Sequence, residues 1–150
     1  MVISVIQKVK EHWRATGVPI VEGATAAVIE KTEAYFDIRF SHELSDFYSS
    51  VNGLNDEDDN GFAFYPLERW ENYNEIFRGD PLGFFDQNKV CIIFIDYLQA
   101  SWYYALLFER KTDKYTIGIL PHGESFVPIT DSLNDFLRLY LEDDPILYTY

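Results

Sequence analysis

The chain has 150 residues, 47% of them hydrophobic, and carries 25 Asp and Glu against 12 Lys and Arg, a net charge of −13. A domain of this length buries about 70% of the surface its unfolded form exposes, so a core can form without disulfides. The negative field repels nucleic-acid phosphates and anionic membrane faces, which argues against direct binding to either; it would speed encounter with a basic protein, although solubility alone accounts for the charge equally well.

At the N-terminal end, "MVISVIQKVKEHWR" interleaves charges with apolar residues and lacks the uninterrupted apolar run of a secretory signal. Ile3, Ile6, Val9 or Lys10, and Trp13 share one helical face, and Gly17 with Pro19 ends the pattern. A second helix is expected after Gly23, with Ala24, Ala27, Val28, Thr32 and Tyr35 on one side, until "DIRF" interrupts it. Ser41 is the predicted N-cap of a third, whose Leu44, Phe47, Tyr48 and Val51 recur at i, i+3, i+4 and i+7, with Asn52 and Gly53 as its stop.

Next comes "NDEDDNGFAFYPLE", residues 55 to 68. Asp56, Asp58, Asn60 and Gly61 match the start of a calcium loop, but the twelfth position, which must supply a bidentate Glu, is Leu67. Phe62, Phe64 and Tyr65 between Gly61 and Pro66 read as a short strand instead of an exiting helix, so no metal site is predicted. The loop is left as either a docking surface or a solvated turn.

It adjoins "ERWENYNEIF", in which Trp70, Tyr73 and Phe77 alternate with Glu68, Glu71 and Glu75. Aromatic anchors beside acids suit a protein interface, and the candidate partner-binding set is Asp56, Glu57, Asp58, Asp59, Glu68, Trp70, Glu71 and Tyr73. At spacings of 3 and 4, the same aromatics also fit the buried stripe of a short helix, and that reading is the favoured one.

Three strands follow, at 90 to 97, 101 to 109 and 114 to 120, rich in β-branched and aromatic residues. In the middle one Trp102, Tyr104, Leu106 and Phe108 alternate with Tyr103, Ala105 and Leu107, as expected of a central strand covered on both faces. The "RKTDK" link is short enough for an antiparallel hairpin. Leu133, Phe136, Leu137, Tyr140 and Leu141 then define a closing helix capped at Asp131 or Ser132. The whole is read as one α+β domain: N-terminal helices, a mostly antiparallel sheet and a C-terminal amphipathic helix. Its apolar runs are too short to span a bilayer, and the single Cys91, inside "VCIIFI", is expected as an unreactive core thiol suited to a reducing cytosol.

Catalytic signatures are missing. His12, His42 and His122 have no companions at metal-ligand spacing, "PHGESF" places His122, Glu124 and Ser125 in one turn without a nucleophile elbow, and neither a GxxxxGK[ST] nor a GxGxxG phosphate loop is present. With 25 acidic residues some carboxylate pairs are inevitable and carry no information. No enzyme activity and no cofactor are expected, and oligomeric state is left open.

"IEKTEAYFDIRFSHELSDFYSSVNGL" (29 to 54) and "ITDSLNDFLRLYL" (129 to 141) resemble the SUKH superfamily. Glu33, Phe36, Phe40, Leu44, Phe47, Tyr48, Asn52 and Gly53 occupy the places of its N-terminal signature, and "FYPLERW" is similar to its aromatic-Pro-Leu-Glu segment. Asp37 stands where the family commonly has Gly, and Ser41 where it commonly has Pro. The resemblance spans roughly residues 24 to 141. It implies an α+β fold without catalysis. For bacterial members it implies an immunity protein that neutralises a cognate nuclease or deaminase toxin, and for fungal relatives a regulator of cell-wall glucan synthesis acting through protein contacts.

Overall fold

A computed structural model describes residues 3–76, 88–121 and 125–149. Helix α1, Val5–Thr16, starts at Ser4, whose hydroxyl accepts the Gln7 N–H, and stops at Gly17 in the left-handed region (φ 77°). It buries Val5, Val9 and Trp13, while Ile3 stays exposed ahead of the cap and Ile6 is half-buried, so the stripe is rotated from the expected one. Strand β1, Ile20–Glu22, follows.

Helix α2, Ala26–Phe36, is capped by Thr25 and buries Thr32 and Phe36. Tyr35, expected on the inner side, is 66% exposed, and its hydroxyl donates to the Glu75 carboxylate at 3.3 Å. The helix ends at Asp37 with φ 58°, which explains the glycine common at this place: the backbone there is left-handed, and Asp tolerates that region better than most residues.

Ser41 caps α3, His42–Ser50, through the Leu44 N–H, as predicted, and Leu44, Phe47 and Tyr48 are buried. The expected Asn52–Gly53 helix stop is not one, because Val51 is already extended and opens β2, Val51–Leu54, which pairs with β1. Asn52 is a buried joint instead: Oδ1 accepts the Leu67 N–H at 2.9 Å and Nδ2 donates to Glu68 at 2.8 Å. Gly53 has φ 75°, and a Cβ on it would lie 2.6 Å from the Phe64 carbonyl oxygen.

The main sheet comprises β3 (Phe62–Phe64), β4 (Glu71–Asn72), β5 (Lys89–Tyr97), β6 (Trp102–Glu109), β7 (Tyr115–Pro121) and β8 (Val127–Thr130). Strand order is β3-β5-β6-β7-β8, antiparallel throughout, with β4 also pairing β5. Strand β6 is central as expected, but cover is uneven: Tyr104, Leu106 and Phe108 are fully buried, whereas Trp102, Tyr103 and Leu107 are half-buried. The β6–β7 hairpin reaches the α2–α3 link, where the Lys111 N–H donates to the Asp37 carbonyl and the Arg39 N–H to that of Thr112.

Helix α4, Tyr73–Ile76, is a single turn. Helix α5, Leu133–Glu142, is capped by Ser132 and buries Leu133, Phe136, Leu137 and Tyr140. Glu43 of α3 also accepts from the Ser132 hydroxyl and the Asn134 N–H, tying two helix starts together. Helices α1, α3 and α5 pack together over one sheet face: Trp13 lies edge-on to Phe64 at 5.1 Å, and Phe136 meets Phe94 and Tyr104 at 5.9 and 5.5 Å. The result is one α+β unit closed by its C-terminal helix.

Candidate functional site

The acidic loop between β2 and β3 folds around one of its own carboxylates. Asp58 is only 4% exposed; its Oδ1 accepts the N–H groups of Asn60 and Phe62 at 2.8 and 2.9 Å, and its backbone pairs with Phe62 and Gly61. Its second oxygen accepts a hydrogen bond from the Tyr140 hydroxyl, and that hydroxyl accepts Trp13 Nε1–H at 2.8 Å. A carboxylate this deep is stable only when its oxygens are bonded, and here the bonds come from the loop and from α5, whose Tyr140 is in turn held by Trp13 of α1. Burial, reinforced by Asp58, pushes the Tyr140 hydroxyl far above its ordinary value, which keeps it a donor.

With Asp58 turned inward, the calcium-loop pattern loses one of its ligands to the core. Among the described residues no group of three or more His, Cys, Asp or Glu is placed to hold a metal ion. Cys91 is buried, and burial pushes its thiol up to about 12, so it is an inert core group at neutral pH. His12 packs its ring edge-on to Tyr140 at 6.1 Å, and His42 opens α3. His122, Glu124 and Phe77 lie outside the described residues.

The eight candidate partner-binding residues divide by exposure. Asp56, Glu57, Asp59 and Glu68 are exposed and Glu71 is half-buried, whereas Asp58, Trp70 and Tyr73 are buried. Trp70 is stacked on Phe40 at 5.6 Å and meets Tyr48 edge-on at 5.3 Å. It and Tyr73 therefore belong to the core, as in the stripe reading, but on different elements: Trp70 follows the 3₁₀ turn Leu67–Arg69, and Tyr73 begins α4 after the short β4. The acids of the loop consequently have other aromatic neighbours than expected.

On one side Asp56, Glu57 and Asp96 border a hollow of about 180 Å³ in which the Arg69 guanidinium sits 4.6 Å from the centre of the Tyr65 ring. Burial lifts the nearby Glu71 carboxyl above its ordinary range; Arg69 opposes the shift and Asp96 adds to it. On the other side Phe62 meets Tyr97 edge-on at 4.7 Å, and Tyr97 lies 4.5 Å from Trp102 and 5.7 Å from Tyr148. Tyr148 belongs to a 3₁₀ turn, Pro145–Tyr148, which the sequence reading missed, and donates its hydroxyl to Asp143.

The β5–β6 turn beside this cluster lies where the expected strands leave it, but its backbone conformation was not foreseen. Leu98, Gln99 and Ala100 all take left-handed backbone (φ 48°, 52° and 67°) without a glycine or asparagine to signal it. Asp96 accepts the Ala100 N–H at 2.6 Å, and the Leu98 N–H donates to the Gly61 carbonyl at 2.9 Å, locking the turn to the acidic loop. Gly61 holds left-handed backbone at this contact (φ 90°), a conformation that residues with side chains rarely adopt, and a Cβ on it would also push the Leu98 side chain aside.

The arrangement displays fixed carboxylates and half-buried aromatics at one end of the sheet. Larger hollows lie elsewhere, among them one of about 440 Å³ near Tyr115, one of about 430 Å³ between α2 and the Leu67–Trp70 turn, and one of about 380 Å³ between the start of α1 and the end of α5. Among the described residues no helix is long and apolar enough to cross a membrane.

The family model described as SMI1 / KNR4 family (SUKH-1) matches residues 23–139. No curated protein matches the sequence. Asp58 falls inside the matched span, whereas Trp13, Tyr140, Asp143 and Tyr148 fall outside it.

Proposed function

The chain belongs to the SMI1/KNR4 family (SUKH-1), and from that premise we propose that it is a non-catalytic protein-binding module, an immunity protein that binds and neutralises a basic toxin domain. The supporting observation is the acidic loop: Asp58 anchors it inward, so Asp56, Glu57 and Asp59 are presented on a backbone that needs no ordering when a partner arrives. The net charge of −13 draws a cationic surface toward this end and sets the association rate, while apolar contact sets residence time. Docking over a toxin's basic substrate groove would block it without any chemistry in the inhibitor.

The test is capture of partners from source lysate by the tagged protein at about 50 mM and about 500 mM salt, since exposed charges are screened as the Debye length contracts. A stoichiometric basic toxin domain captured faster at low salt supports the reading. Recovery of envelope-synthesis proteins in its place would move the assignment to a regulatory scaffold. Neutralising Asp56, Glu57 and Asp59 together should cut the on-rate about tenfold or more at low salt, and an unchanged rate would remove the loop from the mechanism.

A further inference from the structure

We propose that the cluster of Tyr97, Trp102 and Tyr148, with Asp143 behind it and Leu98 at its lip, receives an arginine side chain of the basic partner. The proposal rests on the docking reading above and assigns its apolar anchor point.

Three half-buried aromatic rings converge here within 4.5 to 6.5 Å of one another, and Leu98 beside them is 48% exposed. These rings are already ordered: Tyr97 packs on Phe62, Tyr148 is hydrogen-bonded to Asp143, and the turn carrying Leu98 is tied to the acidic loop. Such rigid, partly desolvated aromatics are what interface anchors are made of.

Charge selects the occupant. The exposed Asp143 carboxylate accepts the Tyr148 hydroxyl at this cluster, and Asp58 lies behind Phe62, which packs on Tyr97, so the aromatic faces have two carboxylates beside them. A guanidinium matches such a place better than an ammonium, because it is planar, stacks on rings, is weakly hydrated and can bind a carboxylate through two N–H groups. The chain uses the same combination internally, where Arg69 covers the Tyr65 ring in the hollow bordered by Asp56, Glu57 and Asp96.

Trp13 and Trp70 are buried at 0% and 6%, so of the three tryptophans Trp102 is the one a peptide can reach, and indole fluorescence reports on this cluster. The intact protein is titrated with the blocked peptide acetyl-Arg-Gly-Arg-amide and with its lysine counterpart. Saturable quenching is expected, at least about threefold tighter for arginine, abolished in Trp102→Phe and weakened in Asp143→Asn and Tyr148→Leu. Equal affinity for the two peptides, no binding of either, or a response unchanged in Asp143→Asn and Tyr148→Leu would overturn the assignment. If a basic partner is captured equally well by the Asp143→Asn/Tyr148→Leu double variant, this anchor is wrong while the docking reading stands. Arginine preference in the peptide assay without any captured basic partner gives the converse.

Discussion

Two tyrosine–aspartate pairs place the same chemistry at different depths. Tyr140 donates to Asp58 in the interior, with Trp13 donating to the tyrosine; Tyr148 donates to Asp143 near the surface, with Trp102 at 6.5 Å. Inside, water cannot replace a lost partner, so each member of the chain Trp13–Tyr140–Asp58 holds the others in place. At the surface water can, and the pair is free to be spent on another molecule. Depth, not residue type, separates a structural pair from a candidate binding one.

Removing Asp58 attacks the inner pair most directly. Asp58→Ala leaves the Asn60 and Phe62 N–H groups and the Tyr140 hydroxyl without their acceptor, and should cost about 4 kcal/mol, lowering Tm by roughly 10 °C. Denaturant and thermal unfolding measure it. A loss below about 1 kcal/mol would mean that water enters this site, and the contrast between the pairs would fail. Tyr140→Phe should cost less, about 2 kcal/mol: the ring still packs on Phe62 and Phe64, while one carboxylate oxygen and Trp13 Nε1–H lose their partner.

Alkali probes the interior as a set. Burial raises the hydroxyls of Tyr48, Tyr104 and Tyr140 well above their ordinary value near 10. The folded state therefore holds protons that the unfolded state releases, so this contribution to stability is complete below about pH 10 and declines as pH rises beyond it. Each of the three should add a slope of about 1.4 kcal/mol per pH unit in that range. Tyrosinate absorbance from them should appear together with loss of the fold, and their ionisation while the protein remains folded would contradict a water-free interior.

The fold was readable wherever local pattern and global packing agree. Ser41, the Leu44–Phe47–Tyr48 stripe, the β5–β6–β7 meander and the α5 face each satisfy propensity and burial at once. Errors arose where a residue serves a distant contact. Asn52, followed by Gly53, looks like a helix stop, yet its amide recognises Leu67 and Glu68 fifteen and sixteen positions away, and Tyr35 sits at an apolar spacing yet reaches Glu75 across forty. The site was half visible. Four consecutive acids marked the loop, but nothing local said that Asp58 would turn inward, since its side-chain partner Tyr140 lies 82 positions after it and Trp13, which donates to that tyrosine, 45 before it. The turn at Leu98–Ala100 gave no glycine signal, because its left-handed backbone is held by hydrogen bonds that its N–H groups donate to Asp96 and to the loop, not by residue preference.

The smallest effect on stability is expected at the outer pair, where its smallness is the point. Asp143 caps α5 with left-handed backbone (φ 52°) and is exposed, so Asp143→Asn keeps a residue that tolerates this conformation and still offers an oxygen to Tyr148. It also removes a negative charge from the C-terminal end of a helix dipole, where an anion is mildly unfavourable. Stability should move by less than about 0.5 kcal/mol in either direction. A loss approaching that of Tyr140→Phe in the same unfolding assay would make the second pair as structural as the first, and the surface cluster would have to be read as an extension of the core.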